Sequence, residues 1–242
     1  MPTVLLLPDS ALLVPGAGGA LADPLAEARD AALRVLRSEP RRARVLVIAP
    51  GRSSRVLTGP FGDGLAAAGI DGSRLLRSPE GSATGGAIPG VGAAAALAVL
   101  RAAGHDPDRG ATVVEVAPTT TDADERAGSP VLPSDPRLIV VVGSLSARHG
   151  PDAPLPDDPA AIAADVALLT AFAAGPRAVA EVFGQLHLPE SDRLAITGGR
   201  PWRTLLSLLA VDGSLPDARA DLLWSGTPGG AQHAIARWEV PA

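Results

Sequence analysis

Short apolar runs alternate along this chain with longer stretches of helical spacing. Thr3–Leu7, Arg44–Ala49, Ala111–Val116 and Leu138–Val142 are rich in Val, Leu and Ile, and the first two are closed by Pro8 and by Pro50-Gly51. Runs of that length without polar alternation predict strands buried on both faces. Between them the period changes. Asp23–Ser38 places Leu25, Ala28, Ala32, Val35 and Leu36 on one face, with Asp23 as the expected N-cap, Pro24 at the first helical position and Pro40 as the stop. Val91–Ala103 predicts a second helix. A third starts at Asp158-Pro159, with Ile162, Val166, Leu169 and Ala173 as its expected core face. Pro176–Leu186 follows, then a helical stretch over residues 190–210 interrupted at Gly198-Gly199 and Pro201. Leu222–Trp224, a turn at Pro228–Gly230 and Ala234–Val240 predict a terminal β-hairpin. Residues 51–90 are weakly patterned and predict loops with a short helix near Gly64–Ala68. Residues 118–136 and 150–158 predict loops and not interdomain linkers.

Strands alternating with helices predict an α/β chain: a three-layer α/β/α sandwich with a mostly parallel central sheet and a C-terminal antiparallel hairpin. We read residues 1–242 as one domain. Ligands of such sheets sit beyond the carboxyl ends of the strands. That directs attention to residues 8–10, 50–54, 117–121 and 143–149.

Composition narrows the chemistry. Hydrophobic residues make up 46% and charged residues 19% of the 242, which suits a packed globular chain. All 21 basic residues are arginine and the net charge is -5, so no overall field draws the chain to nucleic acid or anionic lipid. Aromatics are only 2%, which leaves little surface for stacking bases. There is no cysteine, so disulfides, thiolate nucleophiles and Cys-ligated metals are excluded, and a reducing cytoplasmic setting is expected. The N-terminus has no basic region and too short an apolar run for a signal peptide. No segment approaches the ~20 apolar residues that cross a bilayer.

Several motifs suggest chemistry. Gly90-Val91-Gly92 followed by alanines resembles a dinucleotide fingerprint, but Gly85–Pro89 before it is poor strand material. Close helix packing by small residues is the preferred reading. Gly143-Ser144-Leu145-Ser146 follows a strand as a nucleophile elbow would, yet neither serine lies midway between two glycines. Among the histidines, His149 is best placed for a cleft. His105 and His187 are expected as solvated groups at helix ends, and His233 falls in the hairpin. Arg41-Arg42-Ala43-Arg44 reads as a solvated run before a strand, and Asp122, Asp124 and Glu125 as a flexible acidic loop.

These pieces align with one family. Pro8-Asp9-Ser10-Ala11-Leu12-Leu13-Val14-Pro15 resembles the Pro-His-Pro-Pro-Leu-Leu-Val-Pro opening of class III extradiol ring-cleaving dioxygenases (LigB-type). Ala49-Pro50-Gly51 is similar to that family's strand ending in Ser-Pro-His, and Gly143–Arg148 to its Gly-Asp-Leu-Ser-His-Arg segment. A subgroup of small LigB-like proteins is more similar still, through Gly199-Arg200-Pro201-Trp202, the hairpin Pro228–His233, and Ala236-Arg237-Trp238. The family holds Fe(II) with two histidines and a carboxylate and uses another histidine as acid/base. At the matching positions this chain has Asp9, Gly51 and Ala147. The resemblance therefore implies a degenerate member without the Fe(II) site. Fe(II) is expected only if the family site is retained in another form, and Asp9 is the one residue at a family ligand position with a usable side chain. Two alternatives stay open. One is an active dioxygenase or hydrolase with a rearranged cleft around Asp9, Ser144, Ser146 and His149. The other is a structural or oligomer-forming protein with a filled cleft. The expected partner is a small aromatic or other small molecule.

Overall fold

The computed structural model describes residues 2–18, 23–72, 86–118, 136–210 and 212–241. Asp122, Asp124 and Glu125 lie outside the described residues.

The apolar runs form the centre of a seven-stranded sheet. In chain order the strands are β1 (Thr3–Leu7), β2 (Val45–Pro50), β3 (Arg55–Thr58), β4 (Ala111–Val116), β5 (Leu138–Val142), β6 (Arg219–Gly226) and β7 (His233–Glu239), arranged β3-β4-β2-β5-β1-β7-β6. β4, β2, β5 and β1 run parallel, in a register that sets Thr3 beside Leu138 and Val45 beside both Leu138 and Ala111. β3 and the β7-β6 hairpin add antiparallel edges. Alternate residues point to opposite faces. Leu5, Val47 and Val140 enter one core with α1 (Ala26–Ser38) and α2 (Val91–Ala102). Leu6, Ile48 and Val141 enter the other, with α4 (Pro159–Ala174), α5 (Pro176–Gln185) and α7 (Gly199–Leu209). Two short helices, α3 (Pro107–Gly110) and α6 (Leu188–Arg193), complete the set among the described residues. Helices cover both faces, which is why the central strands carry no polar alternation. This is the expected sandwich. No described helix is long and apolar enough to cross a membrane.

Some local expectations are corrected. On α4 the buried residues are Ala161, Asp165, Leu168, Ala171 and Phe172, while Ile162 and Val166 are 60% and 59% exposed and Ala173 is exposed. The helix is apolar almost all round, so hydrophobicity carries no phase, and a buried carboxylate sets its orientation. α1 starts at Ala26, with Leu25 as N-cap; Asp23 accepts the Leu25 N–H and pairs with Arg29 instead. β3 forms within the stretch expected to be loop, because β4 offers it an open edge. β6 is longer than Leu222–Trp224, with a register irregularity inside it. His105 is not solvated: it is 6% exposed and its Nε2 lies 2.8 Å from the Leu36 carbonyl oxygen, tying the end of α2 to α1. His187 is exposed before α6, as expected.

The Gly-Arg-Pro-Trp segment is structural at its tryptophan. Trp202 is 1% exposed and meets Phe172 edge-to-face at 4.9 Å and Phe183 at 6.2 Å. It lies so close over Gly198 that a Cβ there would overlap the indole, and Gly143 abuts Gly198 in the same way. The glycines let α7 settle onto the end of β5.

Candidate functional site

The carboxyl ends of β1, β2, β4 and β5 lie side by side, and the loops leaving them bring buried polar side chains together. Asp9, two residues beyond β1, donates its backbone N–H to Ser144 Oγ at 2.9 Å. The Ser144 N–H goes to Thr197 Oγ1 at 2.9 Å, and the Thr197 hydroxyl bonds the Asp9 carboxylate. The three residues thus close a hydrogen-bonded ring at the end of the sheet. Ser144 Oγ also lies 2.9 Å from His233 Nδ1, in a hydroxyl–imidazole bond whose direction follows the ring's tautomer. His233 is the first residue of β7, which runs antiparallel beside β1 and so starts where β1 ends.

Electrostatics follow from burial. Burial pushes Asp9 above the usual carboxylate range, and the Thr197 bond opposes it. A Cβ on Gly92 would overlap Asp9 Oδ1, so the carboxylate rests against the first turn of α2, where the helix dipole favours negative charge. Burial pulls His233 from 6.5 to about 4, so the ring is neutral near pH 7.

A separate network forms two residues further along, at Ser146. Asp165, 2% exposed on α4, accepts the Ser146 N–H at 3.0 Å and lies 2.6 Å from His149 Nε2. Burial raises the Asp165 pKa, while the Ser146 N–H and His149 lower it. Ser146 Oγ donates to the Leu194 carbonyl at 2.7 Å. Of the expected cleft residues, Asp9 and Ser144 therefore meet, whereas Ser146 and His149 are held by Asp165. His233, Thr197 and Asp165 take roles that no motif signalled.

At the end of β2 the position matching a family histidine is Gly51. A Cβ there would fall 2.6 Å from the Cβ of Glu115 and 3.2 Å from its Oε2. Glu115, 2% exposed at the end of β4, occupies that space. Its Oε2 pairs with Arg55 Nε at 2.6 Å, and its Oε1 accepts the Gly90 N–H at the start of α2. Among the described residues, no group of three or more His, Cys, Asp or Glu side chains is placed to hold a metal ion. Gly90 and Gly92 serve close approach of these carboxylates, and no strand directly precedes them, in line with the packing reading of that motif.

No protein-family model matches the chain, and neither does any curated protein. Among solved structures it is similar to the crystal structure of uncharacterized protein JW3007 from Escherichia coli K12. The match covers 98% of this chain and 99% of that one, at 16% identity and a TM-score of 0.50. The likeness is one of fold.

Proposed function

We propose that this chain is an extradiol-dioxygenase-like protein that does not perform iron-dependent ring cleavage and instead binds a small molecule at the carboxyl edge of its sheet. The observation that supports this is Glu115. Fe(II) needs two imidazoles and a carboxylate converging on one point with open positions beside them. Here the second ligand position is Gly51, and the volume its side chain would need is taken by a carboxylate already committed to Arg55 and to the amide of Gly90. Asp9 is likewise engaged by Thr197, and Ala147 has no proton to transfer. These residues do not fit the iron.

Metal analysis of protein purified without chelators tests the proposal, alongside oxygen uptake with catechol after anaerobic addition of Fe(II). We expect metal well below one per chain, no difference in Asp9→Ala, and no uptake above the blank. One iron per chain, lost in Asp9→Ala, would overturn it.

The 2.9 Å contact between Ser144 and His233 supports a second reading, a metal-free hydrolase. Ser144 is only 6% exposed and its Oγ already accepts the Asp9 N–H, which favours a structural role for the contact. Labelling of Ser144 by a fluorophosphonate would reverse that preference.

A further inference from the structure

α4 leaves uncovered the face whose spacing looks most like a core. Ile162, Val166, Leu169 and Ala173 follow one another at intervals of four, three and four residues, the spacing of a seam between two paired helices. Within the chain α4 is buried along a different line, through Ala161, Asp165, Leu168 and Phe172, and Ile162, Val166 and Ala173 are exposed. The one polar side chain on the outward side, Thr170, returns its hydroxyl to the Val166 carbonyl at 2.8 Å. From Ile162 to Ala174 the outward side thus carries no charge. By contrast α1, on the other face of the sheet, turns Glu27, Asp30, Arg34 and Arg37 to solvent. An uncharged apolar face on an otherwise charged surface marks a contact.

The surroundings say what fits this face. α4 packs on β6, the last strand of the sheet, and beside α5. It runs antiparallel to β6: Gly175, at its C-terminal end, abuts Ala218 and Ala220 at the start of the strand, and Ala153, before its N-terminal end, abuts Gly230 past the strand's end. The helix, ~24 Å long, matches the ~26 Å of the strand, so the two form one margin of the molecule, with Leu222, Leu223 and Trp224 half-buried along it. That margin is charged oppositely at its two ends. Beside the N-terminus of α4, Asp152 and Asp157 are exposed without ion-pair partners among the described residues and outnumber Arg148. At the other end Arg219 is exposed without such a partner, and Arg177 is matched by Asp217 at 3.4 Å. A two-fold axis through the middle of the margin, perpendicular to the sheet, sets α4 antiparallel to α4 of a second copy and brings each acidic end against a basic one.

We infer that this face binds a second copy of the chain, α4 against α4 about that axis, to form a closed dimer. This goes beyond the preceding reading and does not rest on it. One helix pair is a smaller contact than the ~800 Å² per partner of a standard interface, so the dimer forms reversibly and comes apart on dilution.

Sedimentation velocity of the full chain, from about 1 μM to about 0.2 mM, is the test. The mass should rise from one chain to a plateau at two. Val166→Arg should hold the chain monomeric across that range, and Ile162→Glu gives the same reading from the neighbouring turn if Val166→Arg does not fold. Arg34→Glu, on the charged face of α1, should leave association unchanged. Asp157→Arg should weaken it about fivefold, since the axis counts each pair twice, and adding Arg219→Asp should recover most of the loss. In the dilute monomer these exposed replacements stay near neutral for stability, which separates lost association from lost fold. A chain monomeric throughout would leave the face to a different protein and overturn the inference. So would a mass that climbs past two chains, a dimer that survives Val166→Arg, or a double variant no stronger than Asp157→Arg.

Discussion

His233 places a neutral imidazole, 7% exposed, where solvent cannot stabilise its charged form. Its pKa falls from 6.5 to about 4 on folding, so between those values the unfolded chain binds the extra proton. The stabilisation is therefore complete above about pH 6.5 and is lost as pH drops toward 4. At ~1.4 kcal/mol per pH unit it amounts to about 3 kcal/mol. Asp9 and Asp165 act in the other direction: their raised values mean that folding gains as pH falls through them. The wild-type curve mixes these effects, so the measurement is a difference. In urea denaturation between pH 7 and pH 4, wild type should lose about 3 kcal/mol more than His233→Asn. Parallel curves would show that the imidazole does not titrate as the geometry requires. Asp165→Ala should cost about 1–3 kcal/mol at pH 7, because it strands the buried Ser146 N–H.

On α4 the orientation of one helix can be checked by substitution. Leu168→Ala should cost about 2–5 kcal/mol, and Ile162→Ala and Val166→Ala within about 0.5 kcal/mol of zero, by chemical denaturation. Comparable losses at all three would mean that the outward face is covered. The strands β1, β2, β4 and β5 were legible because a strand buried on both faces needs nothing but Val, Leu, Ile and Ala. α4 was legible as a helix but not in its rotation, since Ala, Ile, Val and Leu surround it and the buried position that matters is Asp165. β3 has mostly exposed residues and exists by pairing with β4, a partner that local pattern does not reveal. The site was half legible for the same reason. Asp9 and Ser144 stand just beyond apolar runs, where a parallel sheet puts its ligand loops. His233 joins them only because β7 returns antiparallel beside β1, and Thr197 only because α7 docks on glycines.

At the scale of the molecule, the sheet is shared by two cores, and one tryptophan reports differently from the others. Trp202 and Trp238 are buried with α4, α5 and α7, while Trp224 packs at the edge of the α1 and α2 side. Every central strand contributes to both cores, so tryptophan fluorescence and far-ultraviolet circular dichroism should give coincident urea midpoints. Midpoints that separate would mean the layers come apart independently. The architecture followed from the alternation of elements, whereas the commitments of Glu115 could be seen only once β3, β4 and α2 were in place. Those commitments constrain what the chain can become. A side chain introduced at position 51 meets the Cβ of residue 115, which only glycine there removes, and glycine at 115 leaves Arg55 and the Gly90 amide without their acceptor. A histidine at this corner therefore asks for two replacements, and the one at 115 costs the protein an ion pair and a helix-end acceptor.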